Sequence, residues 1–383
     1  GSEMCIRDRT NAFNMGVFML KLVILIIYFA VLIGIGLYCR KHATDVNGFV
    51  LGGRSVGPWL TAFAYGTSYF SAVVFVGYAG QFGWKYGIAA TWAGIGNAII
   101  GSLLAWVVLG RRTRIMSQHL DSATMPQYFG KRFGSNPLKI GASVIIFIFL
   151  IPYTASLYNG LSRLFGMAFN IDYSVCIIIM ATLTAIYVIA GGYMATAIND
   201  FIQGIIMLFG IVAVIAAVIH SKGGFMSALQ GLANVSDPAV SDTPGIFASF
   251  FGPDPFNLLC VVILTSLGTW GLPQMVQKFY AIDNEASIQK GTVISTIFAL
   301  IVSGGCYFLG GFGRLFSDQI DVKANGFDSI IPTMLSNLSP ALIALVVILV
   351  LSASMSTLSS LVIASSSTLT IDFLKDNFIK NMS

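Results

Sequence analysis

Nine apolar stretches dominate the sequence, at roughly 17–38, 57–83, 86–110, 138–168, 172–192, 195–220, 256–279, 288–316 and 330–373. At 1.5 Å of helical rise per residue, each is long enough to cross about 30 Å of hydrocarbon. In lipid only helices and closed barrels satisfy their own backbone. These runs are continuous rather than alternating decamers, so helices are the solution. Composition agrees: 56% of residues are hydrophobic and 10% charged, against about 25% charged in a soluble domain. A soluble enzyme, a disordered chain and a secreted disulfide scaffold are excluded. The predicted class is an all-α polytopic membrane protein with about nine transmembrane helices.

The basic residues sit between the spans, so the net charge of +5 is no nucleic-acid footprint. If nine spans alternate, Arg40, Lys41, Arg54, Arg111, Arg112, Arg114, Lys131, Arg132, Lys139, Lys278, Lys290, Lys375 and Lys380 share one side. The positive-inside rule makes that side cytoplasmic, with the N-terminus outside and the C-terminus inside. Residues 1–14 are polar and lack the apolar core of a signal peptide. They read as a non-native leader, with Met15 as the natural start. Residues 15–56 form a first helix and a cytoplasmic loop, and 221–255 the largest outside loop. The five cysteines and three histidines (His42, His119, His220) show no disulfide or metal spacing.

Two spans are poorly written as unbroken helices. One carries Gly66-Thr67-Ser68-Tyr69-Phe70-Ser71 in its middle, the other Gly268-Thr269-Trp270-Gly271-Leu272-Pro273. Pro273 has no N–H to give the carbonyl of Thr269, which is expected to be free for another partner. Broken helices in lipid are tolerated where they line a cavity, and a pair in corresponding halves points to an inverted-repeat transporter. The ninth span adds oxygen: from Ser352 to Thr370, eleven of nineteen residues are Ser or Thr. Ser356, Ser359 and Ser360 share a helix face, with Ala353 one turn earlier and Thr357 beside it. Hydroxyl and carbonyl oxygens suit a hard alkali cation. Some of these hydroxyls, Ser365 to Ser367 foremost, are expected to bond back to their own helix. Asp200 lies inside the sixth apolar run, and an intramembrane carboxylate is a functional pointer.

At these residues the chain resembles the sodium:solute symporter family, whose members have the LeuT fold. Four blocks carry the resemblance: Leu51-Gly52-Gly53-Arg54-Ser55-Val56-Gly57; Gly66-Thr67-Ser68-Tyr69-Phe70-Ser71-Ala72; Gly191-Gly192-Tyr193 through Asn199-Asp200 to Gln203; and Ala353 through Ser360. It implies LeuT-like inverted five-helix repeats preceded by one extra helix. The first repeat would occupy 57–220 and the second 256–383, the chain ending after the second repeat's third helix. It also implies a sodium site at Thr67, Phe70, Ala353, Ser356 and Thr357. A second sodium, where family members have one, would use Asp200, Ser359 and Ser360. Solute would meet Ser68, Tyr69, Ser71, Thr269, Trp270 and Pro273.

The solute is less defined. Val74 stands where sugar carriers have Gln, and Tyr69 where proline carriers have Asp. The Gly-aromatic-aromatic-Gly-x-Pro pattern of proline carriers is present, save for Thr269. The expected function is sodium-coupled symport of a small amino acid, carboxylate or vitamin across the cell membrane, with sodium as coupling ion and no catalytic residues. A proton-coupled carrier of the same fold is the alternative. No phosphate-binding Gly-x-x-x-x-Gly-Lys-Ser/Thr motif is present to drive a pump.

Overall fold

The computed structural model describes residues 2–169 and 172–375; Gly1 and the tail residue Lys380 lie outside that range. The described residues are helical and contain no strand, only two isolated bridges. The first helix, α1, is Ser2–Cys39. The first broken span is α2 (Pro58–Tyr69), two non-helical residues, a π-helical turn and α3 (Ala79–Tyr86). The next span begins at α4 (Thr91–Gly96) and reaches α5 (Arg111–His119) through π-helical turns. Helix α6 (Met125–Phe133) leads into α7 (Asn136–Phe169).

Helix α8 (Tyr173–Ser221) has 49 residues, which would stretch about 73 Å if straight. It is two spans joined at Gly192, whose φ of 55° and ψ of −149° only glycine adopts readily. The bend fits the expected boundary between 172–192 and 195–220. Both arms return to α1: Tyr187 lies against Gly36, and Asn199 donates to the carbonyl of Leu32. Helix α9 (Phe225–Ala233) belongs to the 221–255 loop. The second broken span is α10 (Pro255–Leu267), a turn and α11 (Pro273–Ala281). Helices α12 (Glu285–Gly311) and α13 (Pro340–Ser367) follow. The long ninth stretch divides before Pro340, where Ile330–Ser336 forms a separate short helix.

The two broken spans run antiparallel. The N–H of Val56 donates to Ala281 and that of Asp283 to Val56, so α2 starts where α11 ends. At the opposite face Arg314 donates to the carbonyl of Trp84, just past the middle of α3, and to Asp237 of the 221–255 loop. That is the geometry of inverted repeats. Helix α13 is buried around its whole circumference from Leu349 to Leu361, which marks it as the central helix. Glycines allow the closest approaches. A Cβ at Gly83 would strike the carbonyl of Gly310, and one at Gly310 the carbonyl of Ala79, so α3 and α12 meet backbone to backbone.

The basic loops gather on one face. Arg54 donates to Ser117, Ser122 and Tyr280, Arg114 to Ile282 and Asp283, and Arg111 pairs with Glu285. Lys278 corrects the charge pattern read from the sequence. It is not a loop cation but sits within α11, 1% exposed.

Candidate functional site

Helix α2 ends because Phe70 leaves helical geometry (φ −104°, ψ 90°), which frees the carbonyls of the last turn. One of them, on Thr67, faces α13. The Thr357 hydroxyl lies 3.3 Å from it, and so does the Ser356 hydroxyl, whose shortest bond, at 2.8 Å, goes to the carbonyl of Ser352 on its own helix. The same hydroxyls reach the carbonyl of Ala353, at 3.3 and 3.0 Å. Two carbonyls and two hydroxyls thus converge with neighbouring oxygens about 3 Å apart. Carbonyl and hydroxyl oxygens of this kind are ligands a hard cation takes. Phe70 borders the small cavity that Ala353 also lines. The five predicted sodium-site residues are therefore grouped where α2 breaks against α13.

The other three ion-site candidates are arranged differently. Ser359 donates to the carbonyl of Ser356, on its own helix. Ser360 exchanges a hydrogen bond with Ser68 at 2.9 Å, so Ser68 points to α13. Lys278 Nζ donates to Ser360 Oγ at 2.9 Å and stands 3.7 Å from Asp200 Oδ2. Both charged side chains are buried, and both Asp200 oxygens are without a hydrogen bond. Sequence reading missed Lys278 because a lysine at the end of an apolar run resembles an interfacial anchor. The signal available was its position, three residues inside the end of a helix that starts at a break. Ser365, Ser366 and Ser367 bond back to their own helix.

A cavity of about 480 Å³ lies where the two breaks meet. Its polar lining includes Tyr69, Ser71, Asn97, Tyr153, Thr265 and Thr269. Three of the six predicted solute contacts, Tyr69, Ser71 and Thr269, are among them. Tyr69 ties the breaks together, its hydroxyl donating to Thr265 at 2.9 Å. Trp270 points elsewhere, donating to the carbonyl of Ile100, and Pro273 lines a separate crevice beside Thr124. The Thr269 carbonyl is not free: the N–H of Leu272 bonds to it in the turn. Asn97, which sequence reading passed over, accepts from Thr265 and Ser266 and donates to Ser303. Among the described lining residues none is Asp, Glu, Lys, Arg or His. A charged solute group would have to meet helix ends. The second half of the first broken span begins at Ser71 and faces the cavity with its N-terminus. Helix α10 faces it with its C-terminal turn.

On the face opposite the 221–255 loop, Arg54 links three segments of the chain. Gly52 and Gly53 turn the chain at positive φ, and Arg54 itself sits at φ 54°. Its guanidinium is thereby aimed at the carbonyls of Ser122 (2.8 Å) and Tyr280 (3.3 Å). Burial lowers its pKa from the usual arginine range, with the charge of Asp121 opposing.

The sequence pattern of the sodium:solute symporter family matches residues 49–383. Sodium/proline symporters of Staphylococcus aureus strains JH9 and NCTC 8325 / PS 47 are 30% identical over 368 residues, covering 92% of this chain and 68% of theirs. A solved structure, described as the substrate-bound outward-open state of a Na+-coupled sialic acid symporter, superposes with a TM-score of 0.78. It is 16% identical and covers 95% of this chain and 75% of that one.

Proposed function

The chain belongs to the sodium:solute symporter family, and from that premise we propose that it carries a small zwitterionic amino acid, proline first among candidates, with sodium bound at Thr67, Phe70, Ala353, Ser356 and Thr357. It is a multi-pass membrane transporter of LeuT-like fold, not an enzyme, and sodium is its coupling ion. The amino-acid reading rests on the uncharged cavity at the paired breaks. A helix N-terminus at Ser71 favours a carboxylate, and the carbonyl end of α10 favours an ammonium. An amino acid presents both. A monocarboxylate would leave the carbonyl end unused, and a sugar would use neither. The sodium/proline symporters among its relatives point the same way.

Sodium acts by population shift. A cation held by Thr67 on α2 and by Ala353, Ser356 and Thr357 on α13 joins the first broken helix to the central one. That bridge stabilises the outward-facing state to which solute binds; low internal sodium then releases ion and solute. One cation crossing 100 mV yields about 2.3 kcal/mol, and a tenfold gradient adds about 1.4 kcal/mol. One ion could hold roughly a 500-fold solute gradient. By the positive-inside rule, the face of Arg54 and Arg114 is cytoplasmic, which sets the N-terminus of α1 outside.

Uptake of labelled proline, pyruvate and pantothenate into proteoliposomes, with an inward sodium gradient and with potassium replacing sodium, tests the solute. Proline flux should rise at least tenfold with sodium. Sodium-stimulated pyruvate or pantothenate flux without proline flux would overturn the amino-acid reading.

The Arg54 latch makes a second prediction. Removing its guanidinium leaves the carbonyls of Ser122 and Tyr280 short of a charged donor, worth about 1.5–3 kcal/mol. The cytoplasmic side then opens more readily and the sodium-competent state is depleted. In Arg54→Ala the half-saturating sodium concentration for uptake should rise roughly tenfold or more. An unchanged value would show that Arg54 does not hold the closed face.

A further inference from the structure

We propose that the Lys278 ammonium is a resident cation standing in for a second sodium, so that this chain couples solute to one sodium ion. The inference rests on the first-site reading above only for where that one ion binds.

The argument starts from Asp200. A carboxylate buried to 0% exposure is not stable there as a lone charge. Either it takes up a proton, or something positive accompanies it, an ion from solution or a charge on the chain. The elements around it supply oxygens suited to either: Ser360 on α13, with Ser68 on α2 bonded to it at 2.9 Å. Lys278 fills that position. Its Nζ lies 3.7 Å from Asp200, donates to Ser360 at 2.9 Å, and sits over the Tyr193 ring at 4.9 Å. One ammonium thus ties α8, α11 and α13 with a carboxylate, a hydroxyl and an aromatic face. Those are the attractions a free cation would use.

The position is also right for a second ion. Ser360 follows Ser356 by four residues on α13, and Ser68 follows Thr67 on α2. The hydroxyl that holds the ammonium therefore lies about one helical turn from the first ion site, towards the face where Arg54 sits. Two mobile cations and a lysine cannot share this neighbourhood, because among the described residues Asp200 is the one carboxylate there to neutralise them. Among the described residues no other Asp or Glu approaches Lys278 as an ion pair. A tethered cation does not cross the membrane. It gives the cluster its charge balance and its cross-link but adds nothing to the driving force. Accumulation would then stay near the roughly 500-fold of one ion rather than the roughly 10⁵-fold of two.

The same placement says what substitution should do. Removing the ammonium while keeping an unbranched apolar stem of similar length leaves Asp200 and Ser360 facing a site of their own, with only sodium in solution to balance the carboxylate. The test is equilibrium binding of ²²Na+ to the purified full chain, which needs no solute. The wild-type chain should bind one sodium per chain with a Hill coefficient of 1. Lys278→Met should bind two, with a coefficient above 1. Lys278→Arg should stay at one, and Asp200→Asn added to Lys278→Met should return it to one.

Two sodium ions bound by the wild-type chain would overturn the proposal, whatever the variants do. So would a folded Lys278→Met, and a folded Lys278→Gln, that still bind one. Failure of the first-site reading looks different: Ser356→Ala with Thr357→Ala, in the wild-type background, would then leave the single sodium bound.

Discussion

Replacing Ser356 and Thr357 together by alanine is expected to abolish sodium-stimulated uptake. The two hydroxyls converge with the carbonyls of Thr67 and Ala353, and alanine takes away half of those oxygens. A hydrogen bond or ligand to a charged group is worth about 1.5–3 kcal/mol, so losing two should weaken sodium binding by roughly 10²–10⁴-fold. The remaining carbonyls cannot move in to compensate, because they belong to two packed helices. The measurement is the sodium dependence of uptake in proteoliposomes. A half-saturating concentration within threefold of the wild-type value would remove this site from the coupling. Ser359→Ala is the matched control. Its hydroxyl donates to the carbonyl of Ser356 within the same helix and, unlike those of Ser356 and Thr357, makes no hydrogen bond to Thr67, so its sodium dependence should shift by less than about threefold.

The other large effect concerns folding. Gly83→Val or Gly310→Val should prevent the protein from accumulating as a folded species. Helix α3 and helix α12 touch backbone to backbone at these two residues, and a Cβ at either would occupy the space of a carbonyl on the other helix. The Ala79 carbonyl cannot rotate away without opening α3, and the Gly310 carbonyl is held in the last turn of α12 by the N–H of Phe312. The cost should therefore exceed the 1–3 kcal/mol or so usual for overpacking a core with side chains. Size-exclusion profiles after graded heating in detergent would report it: the variants should lose the monodisperse peak at temperatures where the wild type keeps it. Gly34→Ala is the control, because a Cβ there meets nothing within 4 Å. Equal thermal stability of Gly83→Val and Gly34→Ala would contradict the close approach.

Some of this was legible in the chain because it depends on local chemistry. Apolar run length fixes a span whatever it packs against, and eight of the expected stretches map directly onto helices or broken helices. The ninth separated before Pro340, as its proline allowed. The first break and the hydroxyl-rich face of α13 were readable because glycines and hydroxyls concentrate there against the hydrophobic background. Other positions are set by contacts that the linear sequence does not display. Ser68 faced α13. Trp270 turned to Ile100, and Pro273 opened α11 beside Thr124. The Thr269 carbonyl found a donor within its own turn. Asn97 had no motif to announce it, yet it holds Thr265, Ser266 and Ser303 together beside the cavity.

Lys278 separates the two kinds of knowledge most clearly. The sequence alone determined that this chain lies in a membrane as helices, that two of those helices break, and that oxygen-bearing residues gather on a third. Each follows from the cost of leaving backbone or polar groups unsatisfied in hydrocarbon, a cost every residue meets in place. The sequence could not say which charges neutralise one another, because Asp200 and Lys278 are 78 residues apart along the chain and 3.7 Å apart in space. Only the packing of α8, α11 and α13 decided that a lysine counted as a loop cation would be buried beside the intramembrane carboxylate. The reason is that a charge's free energy depends on its surroundings in three dimensions, and hydropathy along one dimension does not contain them.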